Sequence, residues 1–402
     1  MEAASASTGA LLDTNGDNPS FSSREAARAR YRHRAFLWLE STQRAVRACG
    51  RCKQKGVEAV LVKVGPAGVG LSGLQHCGAV WVCPVCSAVV WSERSMEIGM
   101  VAAAHVATGG QIAFVTLTTR HHVGDRLEGL MGHLRAGWLA VMDGRGGMEL
   151  RQALGLVGHI RVIEVNHGAN GFHPHFHLAL FIGGNVHLDD LEAVMARAFG
   201  RWTRAVVKSG GKTPTEQCQD VRLFGASDAD SLAEYLSKTL LEPVRSGSGS
   251  ARVRADRTSP DGLGLALGKE LTQGQRKVAR KAYGTRPARA LLADACDDGD
   301  ADSLALWQEY ERATKGLRSI SWSRGLRAKY GLGVERSEQE IVDDDRGGVA
   351  VMRLTESGLA RIIGWPELVP AMREAYADSD FAGLQNFMNT NGIGYEEITE
   401  GV

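Results

Sequence analysis

An α+β fold, in which a cysteine-rich module precedes an antiparallel sheet and a helical region follows it, is predicted by three observations. Five of the seven cysteines lie between Cys49 and Cys86. From residue 111 apolar strands alternate with amphipathic helices in the order β-α-β-β-α-β. After the Gly/Ser run at 246–250 the chain becomes Arg-rich and mostly helical up to residue 330. With 44% hydrophobic and 23% charged residues, the 402-residue chain can bury full cores, which excludes collagen-like, coiled-coil and wholly disordered classes.

Residues 1–23 are rich in Ala, Ser, Gly and Asn and lack a basic start followed by an apolar core. They are expected to form a disordered leader rather than a signal peptide. Residues 24–107 hold a basic helix and the cysteine-rich module, 108–241 the sheet domain, 242–268 a flexible linker, 269–330 a basic helical region and 331–402 an acidic appendage. Within the sheet domain 112–119 reads as a strand and 125–154 as helix interrupted near 144–147. Residues 156–165 and 173–182 form a hairpin across the turn-forming 167–171. A helix over 188–207, a strand over 218–224 and a helix over 227–241 complete it. This is the split β-α-β pattern of a ferredoxin-like sheet. Residues 98–119 carry no formal charge, but His105, Gly109, Gly110 and Gln111 divide them into helix, turn and strand. No membrane partner is expected, and the protein is assigned to the cytoplasm.

A net charge of +1 conceals strong segregation. Residues 24–55 contain ten Lys/Arg against two acids, 245–289 eleven against three, and 312–329 six against none, whereas 335–400 reverse to fourteen acids against five Arg. A basic body suited to nucleic-acid phosphates therefore carries an acidic C-terminal segment.

Three groups of residues carry chemistry. Cys49-x-x-Cys52 and Cys83-Pro-Val-Cys86 have zinc-knuckle spacing, since each turn presents two thiolates to one tetrahedral ion. Spacing alone selects Cys49, Cys52, Cys83 and Cys86 for structural Zn²⁺, and a set with Cys77 in place of Cys52 is nearly as reasonable. In His173-Pro174-His175-Phe176-His177 the three histidines share one strand face while Phe176, Leu178 and Leu180 point into the core. Convergent imidazoles make a divalent-metal site, and Glu164 across the hairpin offers a carboxylate that favours Mg²⁺ or Mn²⁺ over tetrahedral zinc. The third group, Asp228, Ser231, Tyr235 and Lys238, shares one face of the helix predicted over 227–241, beside a buried Leu232, Leu236 and Leu240 stripe. A phenol with pKa about 10 is only about 0.1% ionised at neutral pH, so Lys238 is the candidate for activating Tyr235 as a nucleophile.

In combination, Cys77 to Cys86, the strand Phe114 to Thr119, His173 to His177 and Tyr-Leu-Ser-Lys at 235–238 resemble the replication initiators of rolling-circle plasmids, of the actinobacterial type, within the HUH endonuclease superfamily. The resemblance runs from about Cys49 to Tyr330 and includes Ser-Trp-Ser-Arg-Gly-Leu-Arg at 321–327. It implies that His175 and His177 are metal ligands, that Tyr235 is the nucleophile, and that Thr116 and Thr118 line the site. His173 is either a further ligand, a proton carrier or a strand-start residue. The implied reaction nicks single-stranded plasmid origin DNA, leaves a 5′-phosphotyrosyl adduct and a 3′-OH for host DNA polymerase with a host helicase, and later recloses the strand. Arginines in 245–329, Arg324 and Arg327 among them, are the candidates for origin contacts. Some relatives place a carboxylate where this chain has Ser231; Asp228, Asp230 or Glu234 would have to substitute. An HUH transposase or conjugative relaxase is the near alternative, and a non-catalytic zinc-module DNA-binding regulator the distant one. A histidine-triad nucleotide hydrolase matches the alternating histidines but leaves the cysteines and Tyr235 unexplained.

Overall fold

The computed structural model describes residues 23–65, 68–225, 267, 271, 285–344 and 348–398. The helix predicted over 227–241, with Tyr235 and Lys238, and the run at 246–250 lie outside the described residues.

The chain opens with α1 (Ser23–Glu40) and α2 (Arg44–Ala48), then β1 (Leu61–Gly65), β2 (Gly68–Ser72) and the long α3 (Pro84–Ala107). The β-α-β-β-α-β block follows: β3 (Gln111–Thr118), α4 (Leu127–Met142), α5 (Gly144–Ala153), β4 (Leu156–Gly168), β5 (Gly171–Ile182), α6 (Leu188–Lys208) and β6 (Gln219–Phe224). Every junction between these strands is antiparallel, in the order β6-β3-β5-β4. The hairpin strands run longer than their apolar cores suggest, down to a Gly168↔Gly171 pair around Ala169 and Asn170.

One sheet face is covered by α4 and α6. Trp138 and Trp202 meet Phe176 edge-on, with ring centroids 5.9 and 6.1 Å apart. Trp202 Nε1 also donates to Thr118 O at 3.2 Å. A Cβ at Gly137 would sit 2.5 Å from the Trp202 ring, so only glycine lets α4 approach α6 there. The break between α4 and α5 falls at Gly144, whose φ of +62° suits glycine. On the opposite face α3 crosses the far end of β5. His105 Nε2–H is shared by Gln111 O and Ile182 O at 2.9 and 3.1 Å, which leaves Nδ1 to accept from Tyr330 O–H at 2.6 Å. Burial pushes the His105 pKa down, so the ring stays neutral in this role.

The remainder of the chain threads back into both ends of the molecule. β7 (Arg286–Pro287), α7 (Ala288–Asp297), α8 (Ala301–Thr314) and β8 (Ile320–Trp322) come next, and both short strands add to the outer edge of β4. After α9 (Leu326–Lys329) and α10 (Glu338–Asp344), the chain forms β9 (Val349–Leu354), α11 (Glu356–Gly364), α12 (Leu368–Thr390) and β10 (Tyr395–Glu397). β9 pairs with β1 and β10 with β9, which gives a second antiparallel sheet in the order β10-β9-β1-β2. The segment read as an acidic appendage thus supplies half the strands of the N-terminal sheet. Its acids also meet the basic helix: Arg24 pairs with Asp378, Arg28 with Glu374 and Arg32 with Glu367, at 2.8, 2.6 and 2.7 Å. Among the described residues no helix is long and apolar enough to cross a membrane.

Candidate metal centres

The sulfurs of Cys49, Cys77, Cys83 and Cys86 all lie within 4.8 Å of one another. Cys49 Sγ is 3.7 Å from Cys83 Sγ and 3.6 Å from Cys86 Sγ, and Cys77 Sγ is 3.8 Å from Cys86 Sγ. A tetrahedral ion with Zn–S bonds of about 2.3 Å sets its ligands about 3.8 Å apart, so the set fits Zn²⁺ in number, softness and spacing. Local structure explains the convergence. Cys83 caps α3 ahead of Pro84, and its sulfur accepts from Cys86 N at 3.5 Å. Residues 50–54 then run antiparallel to 73–75 through Gly50 N to Gln75 O, Gln75 N to Cys52 O and Gln54 N to Gly73 O, each at 2.7–2.8 Å. That pairing delivers Cys77 to the cluster and leaves Cys52 outside it. Of the two sets that spacing allows, the chain assembles the one with Cys77. Burial opposes ionisation of Cys83, yet hydrogen bonds from Cys49, Cys77 and Cys86 hold its thiol well below the usual range.

The second cluster lies where β4 and β5 pair Glu164 with His175 and Val162 with His177. Glu164 Oε2 is 3.0 Å from His177 Nε2 and 3.5 Å from His175 Nε2, and the two Nε2 atoms are 3.0 Å apart. Six-coordinate Mg²⁺ with bonds of about 2.1 Å places adjacent ligands about 3.0 Å apart, so these donors fit one face of such an ion. The three residues are only 3%, 6% and 7% exposed. Each donor is aimed from behind. His175 Nδ1 faces His173 O at 3.3 Å, His177 Nδ1 faces Thr116 Oγ1 at 3.2 Å, and Glu164 Oε1 accepts from Asn166 Nδ2 at 2.9 Å. Outer hydrogen bonds at Nδ1 fix the tautomer that leaves Nε2 free to coordinate. Phe114 stacks on the His177 ring at 5.3 Å.

The other expected site residues fall in different places. His173 stays out of the cluster: its Nδ1–H donates to His121 Nε2 at 2.6 Å, because His121 Nδ1–H is held by Asn170 O at 3.0 Å. Burial, helped by the His175 and His121 rings, pushes the His173 pKa down to about 3. His121 has little signal in the sequence: it is a histidine a few residues beyond the end of a strand aimed at the site. Thr118 Oγ1 donates to Pro174 O at 3.0 Å and so holds the backbone rather than the cluster. Arg324 is exposed. Arg327 is committed internally, bonding Glu97 at 2.7 Å and stacking over Trp322 at 5.1 Å, which removes it from the origin-contact candidates. A third group, His33, Cys296 and Asp297, also converges, but Arg32 already bonds Asp297 at 3.1 Å and supplies the cation.

No protein-family model matches the chain. It is 32% identical to a neomycin resistance protein of Streptomyces cyanogenus over 28% of this chain and 31% of that one. Over 71% of this chain and 72% of the relative it is 30% identical to a protein of Streptomyces lividans named protein rep. A match of that identity across more than two thirds of both chains places this chain in the Rep protein family.

Proposed function

We propose that the chain is a plasmid replication initiator of the HUH type, a metal-dependent endonuclease and strand transferase acting in the cytoplasm on the origin of a rolling-circle replicon. Rep membership supports the replication role, and the β6-β3-β5-β4 order supports a ferredoxin-like nicking domain. The observation that carries the reading is the buried Glu164, His175 and His177 set, whose donors converge at 3.0–3.5 Å with their outer atoms already bonded. Mg²⁺ or Mn²⁺ held there would polarise the scissile phosphate. The prealigned rings and carboxylate spare the site any reorganisation during reaction.

Tyr235 attacks the phosphorus through its phenolic oxygen. The P–O3′ bond breaks, the departing 3′ oxygen gains a proton, and the 5′ phosphate remains on the tyrosine as an ester. Lys238, one turn further along the predicted helix, favours the phenolate. The phosphotyrosine conserves the bond energy, so a returning 3′-OH can reseal the strand after host helicase and DNA polymerase have copied the circle. Cys49, Cys77, Cys83 and Cys86 would hold Zn²⁺, which would fix the N-terminal module that α3 ties to the sheet.

Incubating the protein with single-stranded oligonucleotides tiling its own replicon, with and without Mn²⁺, tests this on a denaturing gel. A metal-dependent covalent adduct that disappears in Tyr235→Phe is the expected result. Metal-dependent cleavage that survives that substitution moves the nucleophile elsewhere, and binding without cleavage of an origin-containing set supports the regulator instead.

A further inference from the structure

The basic stretches read from the sequence are not equally free to meet DNA. Arg24 and Arg28 of α1 are paired with acids of α12 and Arg32 with Glu367 just before it, Arg327 with Glu97, and Arg336 with Glu93 and Asp344. α6 differs. Arg197, Arg201, Arg204 and Lys208 recur at intervals of 4, 3 and 4 along it. At about 100° per residue they fall within roughly 60° of the helix circumference. Arg197, Arg204 and Lys208 are exposed, and among the described residues none of them makes an ion pair. The acids in the first turn of α6, Asp189 and Asp190, lie at its other end. A favourable helix-dipole contact accounts for cations in the last turn only, and so leaves Arg197 unexplained.

The placement of the stripe is as telling as its charge. The buried side of α6 is Leu191, Met195, Ala198, Trp202 and Val206, and Trp202 packs on Phe176. Because Phe176 and His177 point to opposite faces of β5, the stripe lies on the side of the sheet away from the Glu164, His175 and His177 cluster. Arg201 lies against the start of α5, where its guanidinium donates to Gly146 O at 3.0 Å while its Nε makes no hydrogen bond. A Cβ at Gly146 would sit 2.6 Å from that Nε, so the glycine makes room for the arginine. Arg145, beside it, adds an exposed guanidinium, balanced by Glu149.

We propose that this face of α6 is a second DNA surface, which grips the backbone of duplex DNA flanking the segment processed at the histidine cluster. The proposal rests on the reading of the chain as a DNA-nicking initiator. From Arg197 to Lys208 the stripe spans about 16 Å, a length over which a duplex presents on the order of nine phosphates. With no base-reading geometry required, its contribution is to affinity and orientation and is independent of sequence.

The test measures binding of a labelled duplex against salt concentration, in EDTA and in the Tyr235→Phe background so that no cleavage intervenes. The triple variant Arg197→Gln/Arg204→Gln/Lys208→Gln is compared with Arg135→Gln/Arg353→Gln/Arg361→Gln, which removes three exposed cations elsewhere. Three lost phosphate contacts lower the slope of log K against log salt by about 2.7 and weaken binding about ten- to a hundred-fold near 0.1 M salt. The control should change the slope by less than about one. An unchanged slope in the α6 variant, or equal losses in both variants, overturns the proposal, as does a loss for single strands but not for duplex. Cleavage of short single-stranded oligonucleotides, assayed separately with Tyr235 intact, reports on the nicking reading, so the two can fail independently.

Discussion

The two donor clusters of this molecule are built in opposite ways. Four soft thiols are collected from the end of α2, the loop before α3 and the start of α3, all within 4.8 Å of one another and three pairs at 3.6–3.8 Å, the spacing of a tetrahedral set. Two imidazoles and a carboxylate instead come from neighbouring strands already in register, at 3.0–3.5 Å, and cover only one side of an ion. A closed thiolate set is the signature of an ion that holds a fold, whereas an open set of hard donors leaves positions for a substrate oxygen. The first cluster should therefore govern stability and the second chemistry.

The sharpest way to break that division is Cys83→Ser. With zinc lost, the N-terminal module should lose cooperative folding, a penalty above about 5 kcal/mol, visible in metal analysis and thermal melts. Next in size is His177→Ala, which should lower cleavage on the order of 10³-fold or more while the melting temperature moves by only a few degrees. Arg327→Ala sits between the two regions. It removes one partner of Glu97, which Arg94 also holds at 2.7 Å, and should cost about 3 kcal/mol in a denaturant titration.

Acid pH also reaches the sheet through His159, a histidine that belongs to neither cluster. Burial, reinforced by Arg161 and Arg151, pushes the His159 pKa from 6.5 down to about 4. The unfolded chain thus binds an extra proton between these values. The stability from keeping His159 neutral is intact above about pH 6.5 and declines as pH falls to about 4, by roughly 3 kcal/mol, then levels off. His159→Gln should flatten that slope. Smallest of all is Cys52→Ser, which should leave one zinc per chain and stability within about 0.5 kcal/mol.

Much of the histidine face was legible because strand periodicity is local. Histidines two apart on an apolar strand could point only one way, and a hairpin over 156–182 placed Glu164 across from them. The choice between Cys52 and Cys77 was not legible. It turns on the pairing of residues 50–54 with 73–75, a contact that spacing within either CxxC does not encode. β9 was missed for a similar reason. Val349–Leu354 pairs with Leu61–Gly65 across most of the chain, and the surrounding acids gave it the look of a solvated tail. Those acids turn out to answer the arginines of α1, so two charge blocks that look independent in sequence are partners in space.

The division of labour is tested most directly by treating the protein with EDTA under mild conditions and following three quantities together: zinc content, the thermal melt, and cleavage of an origin oligonucleotide. Cleavage should stop while one zinc and the melt persist, and added Mn²⁺ should restore cleavage in the wild type but not in Glu164→Gln. Cleavage that continues in EDTA, or that is lost only together with zinc and the folded module, would contradict it.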